Sequence, residues 1–277
     1  MSEEMLVLKG NLTYSETSYW YGATRRPLHL DVICPKKCAK KRPVILWFCG
    51  GAFQQMDHHV WLPTLHWYAE QGFTVVSAEY RVGVPGRWPA PIEDGWNAIR
   101  YIRENAEEFC ADGGKIAVMG ESAGAYIATA LGVGLKKPEN MAPVRAAVDY
   151  YGVSSPADMS AFERERGHDS ITSLMGGAPE TQPEKYLQAD ICSHVAKDSA
   201  PCLILHGTKD ERVPIEQSKK LCEAYRQAGV RSEMVTVRGA VHGDERFYRK
   251  SVKAKVCNFL NETLLEGDST NEKQNEG

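Results

Sequence analysis

The sequence predicts an α/β fold, a mostly parallel central sheet flanked by helices, and three observations predict it. Short apolar runs rich in β-branched residues recur along the chain, as strands buried on both faces require. Amphipathic stretches with helical spacing fall between these runs. The alternation breaks once, over residues 152–199, where Pro, Gly, Met and charge mix irregularly, so a cover insertion after the sixth strand is expected there. At 277 residues, with 43% apolar and 25% charged side chains, the chain has an ordinary globular composition.

An antiparallel edge pair is expected near residues 5–14 and 28–34. Buried strands follow at Pro43 to Phe48, Thr74 to Ala78, Lys115 to Met119, Val144 to Tyr150 and Cys202 to Leu205, with a last strand near Glu233 to Val237. Pro91 opens a helical stretch through Phe109, in which Ile92, Trp96 and Ile99 recur on one face. Ala123 to Gly134 is rich in small residues and suits a helix packed close under the sheet. Pro214 begins a further helix that Gly229 ends, and Phe247 to Leu265 closes the fold. The expectation is a single domain over residues 1–265, with 266–277 a polar, unpatterned, disordered tail.

Charge excludes some functions. Thirty-three basic residues against 36 acidic ones leave a net charge of −3, which argues against a nucleic-acid partner. No run approaches the length of a membrane span, so no membrane partner is expected. No basic segment followed by a long apolar run opens the sequence, so the expected location is the cytoplasm. The eight cysteines have no zinc-ligand spacing, and several sit inside apolar runs; they read as reduced, structural thiols.

The sharpest chemical signal is Gly120-Glu121-Ser122-Ala123-Gly124, set between the strand KIAVM and a small-residue helix. A serine on so tight a turn needs small neighbours two positions to either side, and its hydroxyl then projects from the top of the sheet. A hydroxyl attacks only when a base takes its proton and an acid orients that base. In this architecture the partners follow in the order acid, then histidine, each just past a strand end. LILHGTKDERVP supplies Asp210, with Glu211 and Asp244 as alternative acids, and VTVRGAVHGDE supplies His242. VILWFCGGAF runs from a strand into Gly50-Gly51-Ala52, where the N–H of Gly51 or Ala52, with that of Ala123, can form an oxyanion hole.

On these residues the chain resembles the α/β-hydrolases, in the esterase/lipase group with an HGGG-type oxyanion motif, and within it the acetyl-xylan and feruloyl carbohydrate esterases. The matching pieces are LHLDVICP, CGGAF, AEYRVGVPGRWPAPIEDGWNAIRYIREN, GESAG, VDYYGVSSPADM, HGTKDERVP and GAVHG, spanning about residues 28 to 263 in the expected order. The resemblance implies an α/β-hydrolase fold, a triad at Ser122, Asp210 and His242, and oxyanion donors at Gly51, Ala52 and Ala123. Two positions depart from its pattern: Cys49 stands where histidine is usual, and Ala52 where a third glycine is common. Cys49 as a reactive thiol is the lesser reading.

The expected reaction is hydrolysis of small-acyl esters, acetyl first, of sugars or other small alcohols. An acetylated oligosaccharide is one such substrate. An arylformamidase or small peptidase would use the same triad, and a catalytically silent ligand-binding α/β-hydrolase is the alternative from another class. Trp61 and Trp88 are candidate substrate-binding walls, whereas Trp67 reads as core. His58-His59 reads as loop surface rather than a metal pair, and the charged run Phe162 to Asp169 as a solvated face. No cofactor and no metal are called for, since no Gly-rich dinucleotide or phosphate-binding loop occurs. Oligomeric state stays open, a homodimer included.

Overall fold

The computed structural model describes residues 4–19 and 21–265. The tail expected over 266–277 lies outside the described residues. An eight-stranded sheet runs in the order β1-β2-β4-β3-β5-β6-β7-β8. Its strands are β1 (Leu6–Tyr19), β2 (Thr24–Pro35), β3 (Arg42–Phe48), β4 (Thr74–Ala78), β5 (Ala111–Glu121), β6 (Ala146–Tyr150), β7 (Cys202–Gly207) and β8 (Ser232–Val237). β1 pairs antiparallel with β2 and β2 with β4; every other pairing is parallel. The edge hairpin is longer than its hydrophobic pattern suggested, and β1 carries two register shifts, one of them around Asn11.

Side chains alternate across the sheet and split the core in two. Val44, Leu46 and Phe48 of β3 face one cluster, Ile45 and Trp47 the other. The first cluster is completed by α2 (Ala90–Glu104), α3 (Ala123–Gly132) and α7 (Glu216–Ala228). The second is closed by α1 (Leu62–Glu70) and α8 (Lys250–Leu264). All of α3 is buried, which its alanines and glycines permit.

Among the helices, three differences from the sequence reading stand out. α2 stops at Glu104, where the Asn105 side chain donates to the Tyr101 carbonyl at 2.8 Å and takes over the helix end. The closing segment begins as a 3₁₀ turn at Glu245–Tyr248, capped by Asp244, and Arg249, extended at ψ 149°, separates it from α8. α1 was not foreseen, although Pro63 in its first turn is a helix-start signal.

Residues 152–199 fold over the sheet as α4 (Pro156–Arg164), α5 (Ser170–Met175), α6 (Pro183–Ala189) and a 3₁₀ turn, Ile191–His194. Polar contacts seat this cover: the Gln217 amide oxygen accepts the N–H groups of Ser154 (2.9 Å) and Ser155 (2.8 Å), and the Tyr126 hydroxyl donates to the Ala189 carbonyl at 2.9 Å. No helix among the described residues is long and apolar enough to cross a membrane.

Candidate active site

Ser122 sits between β5 and α3 with φ 54° and ψ −118°, a left-handed backbone that costs a non-glycine residue about 1–3 kcal/mol. Its N–H donates to the Tyr150 carbonyl of β6 at 2.9 Å, which holds the turn in place. The flanking glycines are required by close approach. A Cβ on Gly124 would lie 2.1 Å from the Phe48 carbonyl oxygen, and one on Gly120 would lie 2.4 Å from the Gly124 carbonyl oxygen. Both obstacles are backbone, so the elbow cannot shift to admit a methyl group.

His242, in the loop after β8, places Nε2 at 2.9 Å from Ser122 Oγ and Nδ1 at 2.8 Å from Asp210 Oδ2. Nδ1 donates to the carboxylate, which leaves Nε2 to accept the serine hydroxyl proton. Asp210 follows β7, and its Oδ1 accepts the N–H groups of Arg212 and Val213, each at 2.9 Å. Burial by itself would raise the Asp210 carboxyl, but hydrogen bonding from His206 and His242, the facing His242 ring and the Val213 N–H more than offset it. The group is held well below the usual carboxylate range. The alternative acids stand elsewhere: Asp244 accepts the Arg246 N–H at 2.9 Å, and Glu211 is exposed on the cleft wall.

Sequence reasoning missed His206, which is fully buried with Nε2 3.5 Å from Asp210 Oδ2. Its Nε2 donates to the Val213 carbonyl at 3.0 Å and its Nδ1 accepts the Ser218 hydroxyl at 2.6 Å, so the ring braces the loop that carries Asp210. The available signal was its place four residues before Asp210, at the end of an apolar strand. Tyr151 was also missed; its ring meets that of His242 edge-on at 4.8 Å.

Asp149, on the neighbouring strand β6, is a second buried carboxylate. Its Oδ1 accepts the Gly152 N–H at 2.7 Å and its Oδ2 the Thr129 hydroxyl at 3.3 Å, yet burial lifts its pKa to about 6. A carboxyl raised in the folded state holds its proton more tightly there than in the unfolded chain. Its contribution to stability is therefore present at low pH and lost as pH rises through about 6. Asp149→Asn is expected to raise the melting temperature above pH 6, corresponding to at most about 3 kcal/mol at about 1.4 kcal/mol per pKa unit. The gain should fade in thermal scans on acidification; a gain independent of pH would contradict this reading.

The turn after β3 faces Ser122. Glu121, the second residue of GESAG, reaches across so that its Oε1 accepts the Gly50 N–H at 2.5 Å and the Trp61 indole N–H at 3.3 Å. A Cβ on Gly50 would meet that carboxylate oxygen at 2.6 Å, so a larger residue there would displace the Glu121 side chain. Gly51, Ala52 and Phe53 all have positive φ (131°, 54° and 60°). Gly51, Ala52 and Ala123 all line the cleft beside Ser122. Cys49 is buried, with its carbonyl bound by the Tyr80 hydroxyl at 2.8 Å. Burial pushes its thiol up to about 12, which keeps it protonated and unreactive at neutral pH.

The cleft has a volume of about 590 Å³ and is walled by residues 51–55, the elbow, the cover and the loop around Glu211–Val213. Trp61 and Trp88 are corrected: neither lines it. Trp61 packs outside, its ring tilted 31° against that of Tyr248 at 4.3 Å, with its indole N–H donating to Glu121. Trp88 is buried in the core beneath the cover, its backbone N–H donating to the Leu174 carbonyl at 2.9 Å. The wall comes instead from the run read as solvated face. Phe162, Arg166 and His168 line the mouth, with the Arg166 guanidinium 3.6 Å above the Phe162 ring.

Sheet order, cover and elbow are those of an α/β-hydrolase. The BD-FAE family model matches residues 30–225, and a TAP-like protein model matches residues 179–272. The chain belongs to the BD-FAE family. It is 31% identical over 216 residues to Esterase LipC of Mycobacterium tuberculosis, covering 74% of this chain and 53% of that protein. It is 26% identical over 262 residues to an isoprenylcysteine alpha-carbonyl methylesterase of Arabidopsis thaliana, covering 87% and 61%. The chain thus spans only about half the length of the curated relatives it matches. Among solved structures, an acetyl ester-xyloside bifunctional hydrolase from Caldicellulosiruptor lactoaceticus superposes with TM-score 0.73 at 25% identity, over 86% of this chain and 88% of that one. A truncated carbohydrate esterase from gut microbiota shares the fold with TM-score 0.78 at 23% identity, over 93% and 96%.

Proposed function

We propose that the protein is a carboxylic ester hydrolase that removes small acyl groups, acetyl first, from sugars or other small alcohols. The observation that carries this reading is the hydrogen-bonded chain Ser122–His242–Asp210, at 2.9 and 2.8 Å, opening into a cleft. Ser122 Oγ adds to the ester carbonyl carbon as its proton passes to His242 Nε2. The resulting oxyanion lies against the N–H groups of Ala123 and of Gly51 or Ala52. Collapse expels the alcohol, which takes the proton from His242 and leaves an acyl-serine. Water, deprotonated by His242, then releases the carboxylic acid and restores the hydroxyl.

The cleft mixes polar walls, Gln54, Gln55, Glu163 and Arg166, with apolar ones, Phe53, Val153, Met159, Phe162 and Ile171. Initial rates on p-nitrophenyl esters from acetyl to octanoyl test the reading, with Ser122→Ala as the blank. Rates that peak at acetyl support it, and acetylated xylo-oligosaccharides are the next substrates. A peak at longer chains would replace it with a general carboxylesterase, and turnover only of N-formyl or aminoacyl amides would replace it with an amidase.

A further inference from the structure

A second cluster of chemically capable side chains lies on the edge side of the sheet, outside the cleft. Asp31 on β2 and His58 in the loop before α1 are 1% and 2% exposed, whereas the neighbouring His59 is open to solvent. His58 is therefore not a surface residue. Its Nε2 lies 3.6 Å from Asp31 Oδ1, and His59 Nε2 lies 3.4 Å from Asp31 Oδ2. One donor atom from each of the three residues lies within 4.8 Å of the others. Two of these buried atoms, Asp31 Oδ2 and His58 Nε2, have no hydrogen-bond partner among the described residues. Each atom has an ionic neighbour, at 3.4 and 3.6 Å, but no hydrogen bond, and a bond of that kind left unmade costs the cluster about 1–3 kcal/mol.

The surroundings show what would suit it. The far nitrogen of each ring faces a carboxylate: His58 Nδ1 lies 3.5 Å from Glu79 Oε1, and His59 Nδ1 lies 3.0 Å from Asp57 Oδ1. Glu79 is itself fixed, its Oε2 accepting the His29 N–H at 2.7 Å. Asp31 is fixed as well: Asn11, at a register shift of β1 with φ 54°, donates its N–H to Oδ1 at 2.7 Å. The two rings lie against each other, centroids 3.9 Å apart and 38° between planes, with one donor nitrogen of each near Asp31; opposite nitrogens held on carboxylates are the pattern that orients histidine as a metal ligand. Zinc–nitrogen and zinc–oxygen bonds of about 2.0–2.2 Å set tetrahedral ligand atoms about 3.3–3.5 Å apart; the two rings approach different oxygens of Asp31, at 3.6 and 3.4 Å, so ligation through one oxygen requires a small rotation of the carboxylate or of a ring.

We propose that Asp31, His58 and His59 form a binding site for a divalent metal ion, zinc by its nitrogen and oxygen donor set, with a fourth position open to water on the exposed His59 side. The ion would tie β2 to the segment leaving the oxyanion turn. That segment is already held once, where the Ser77 hydroxyl donates to the His58 carbonyl at 2.6 Å.

The test is zinc titration of chelator-treated full-length protein by calorimetry, with melting temperature and cobalt(II) absorption as independent readouts. One equivalent should bind and raise the melting temperature. Cobalt should give tetrahedral d–d bands without the thiolate charge-transfer absorption that any of the eight free cysteines would produce. His59→Ala, at an exposed position, should abolish tight binding while the metal-free variant melts where the metal-free parent does. Asp57→Asn should weaken binding by about 10–100-fold. Failure of the parent to bind, retention of its affinity in His59→Ala, or thiolate bands with cobalt would each overturn the assignment.

Discussion

Ser122→Ala is expected to lower kcat on p-nitrophenyl acetate by about 10⁶-fold, the scale on which removing a serine nucleophile acts elsewhere. The loss should fall on kcat. The elbow's own backbone contacts, the Ser122 N–H to the Tyr150 carbonyl and the close approach of Gly124 to β3, do not involve the hydroxyl. Melting temperature should therefore change little, and circular dichroism should be that of the parent. What persists should be about 10³–10⁴ above the reaction in water, supplied by the oxyanion donors and by binding. Full turnover in this variant would remove Ser122 from the chemistry, whatever the fold.

Asp210→Asn should cost about 10⁴-fold in kcat, and the geometry says why. Oδ1 of Asp210 accepts two backbone N–H groups, which would fix the amide oxygen of an asparagine on that side. Its NH₂ would then face His242 Nδ1 and donate to it, forcing the ring proton onto Nε2. A protonated Nε2 cannot accept from Ser122, so the base is lost although every atom keeps its place. The carboxylate is held well below its usual range, so in the parent enzyme the acid limb of a pH–rate profile should not report Asp210. A loss smaller than tenfold would move the role to another carboxylate, and Asp244→Asn would then be the variant to measure.

Local demands made much of this legible. A turn that tight tolerates only small residues at fixed offsets, so Gly120, Ser122 and Gly124 mark the elbow before any fold is known. Asp210 and His242 lie just past strand ends, which are readable, and the fold brings both side chains to Ser122. Side-chain direction was not. Trp61 and Trp88 sit next to the right loops, but one turns to Tyr248 and the other into the core, and no spacing rule reports that. The charged run at 162–169 is mostly exposed, but Glu163 is buried with its carboxylate accepting the Ile171 N–H, and the run forms the cleft mouth because the cover folds it across the elbow. His58 and Asp31 lie far apart in sequence and meet only because β2 pairs with β4 and the loop before α1 returns over that edge.

Adjacent residues in the first turn of α7 do separate jobs. Gln217 grips the first residues of the cover, and Ser218 grips His206, which braces the loop of Asp210. Roof and acid thus share one mounting. A cover hinged on such a mount cannot swing like an independent lid: a displacement at Ser154–Ser155 loads the turn that sets the imidazole's orientation. The roof of the cleft and the loop that carries Asp210 are mechanically a single part. Changes that reshape the roof for a bulkier leaving group should therefore carry a cost in turnover even for the smallest substrate.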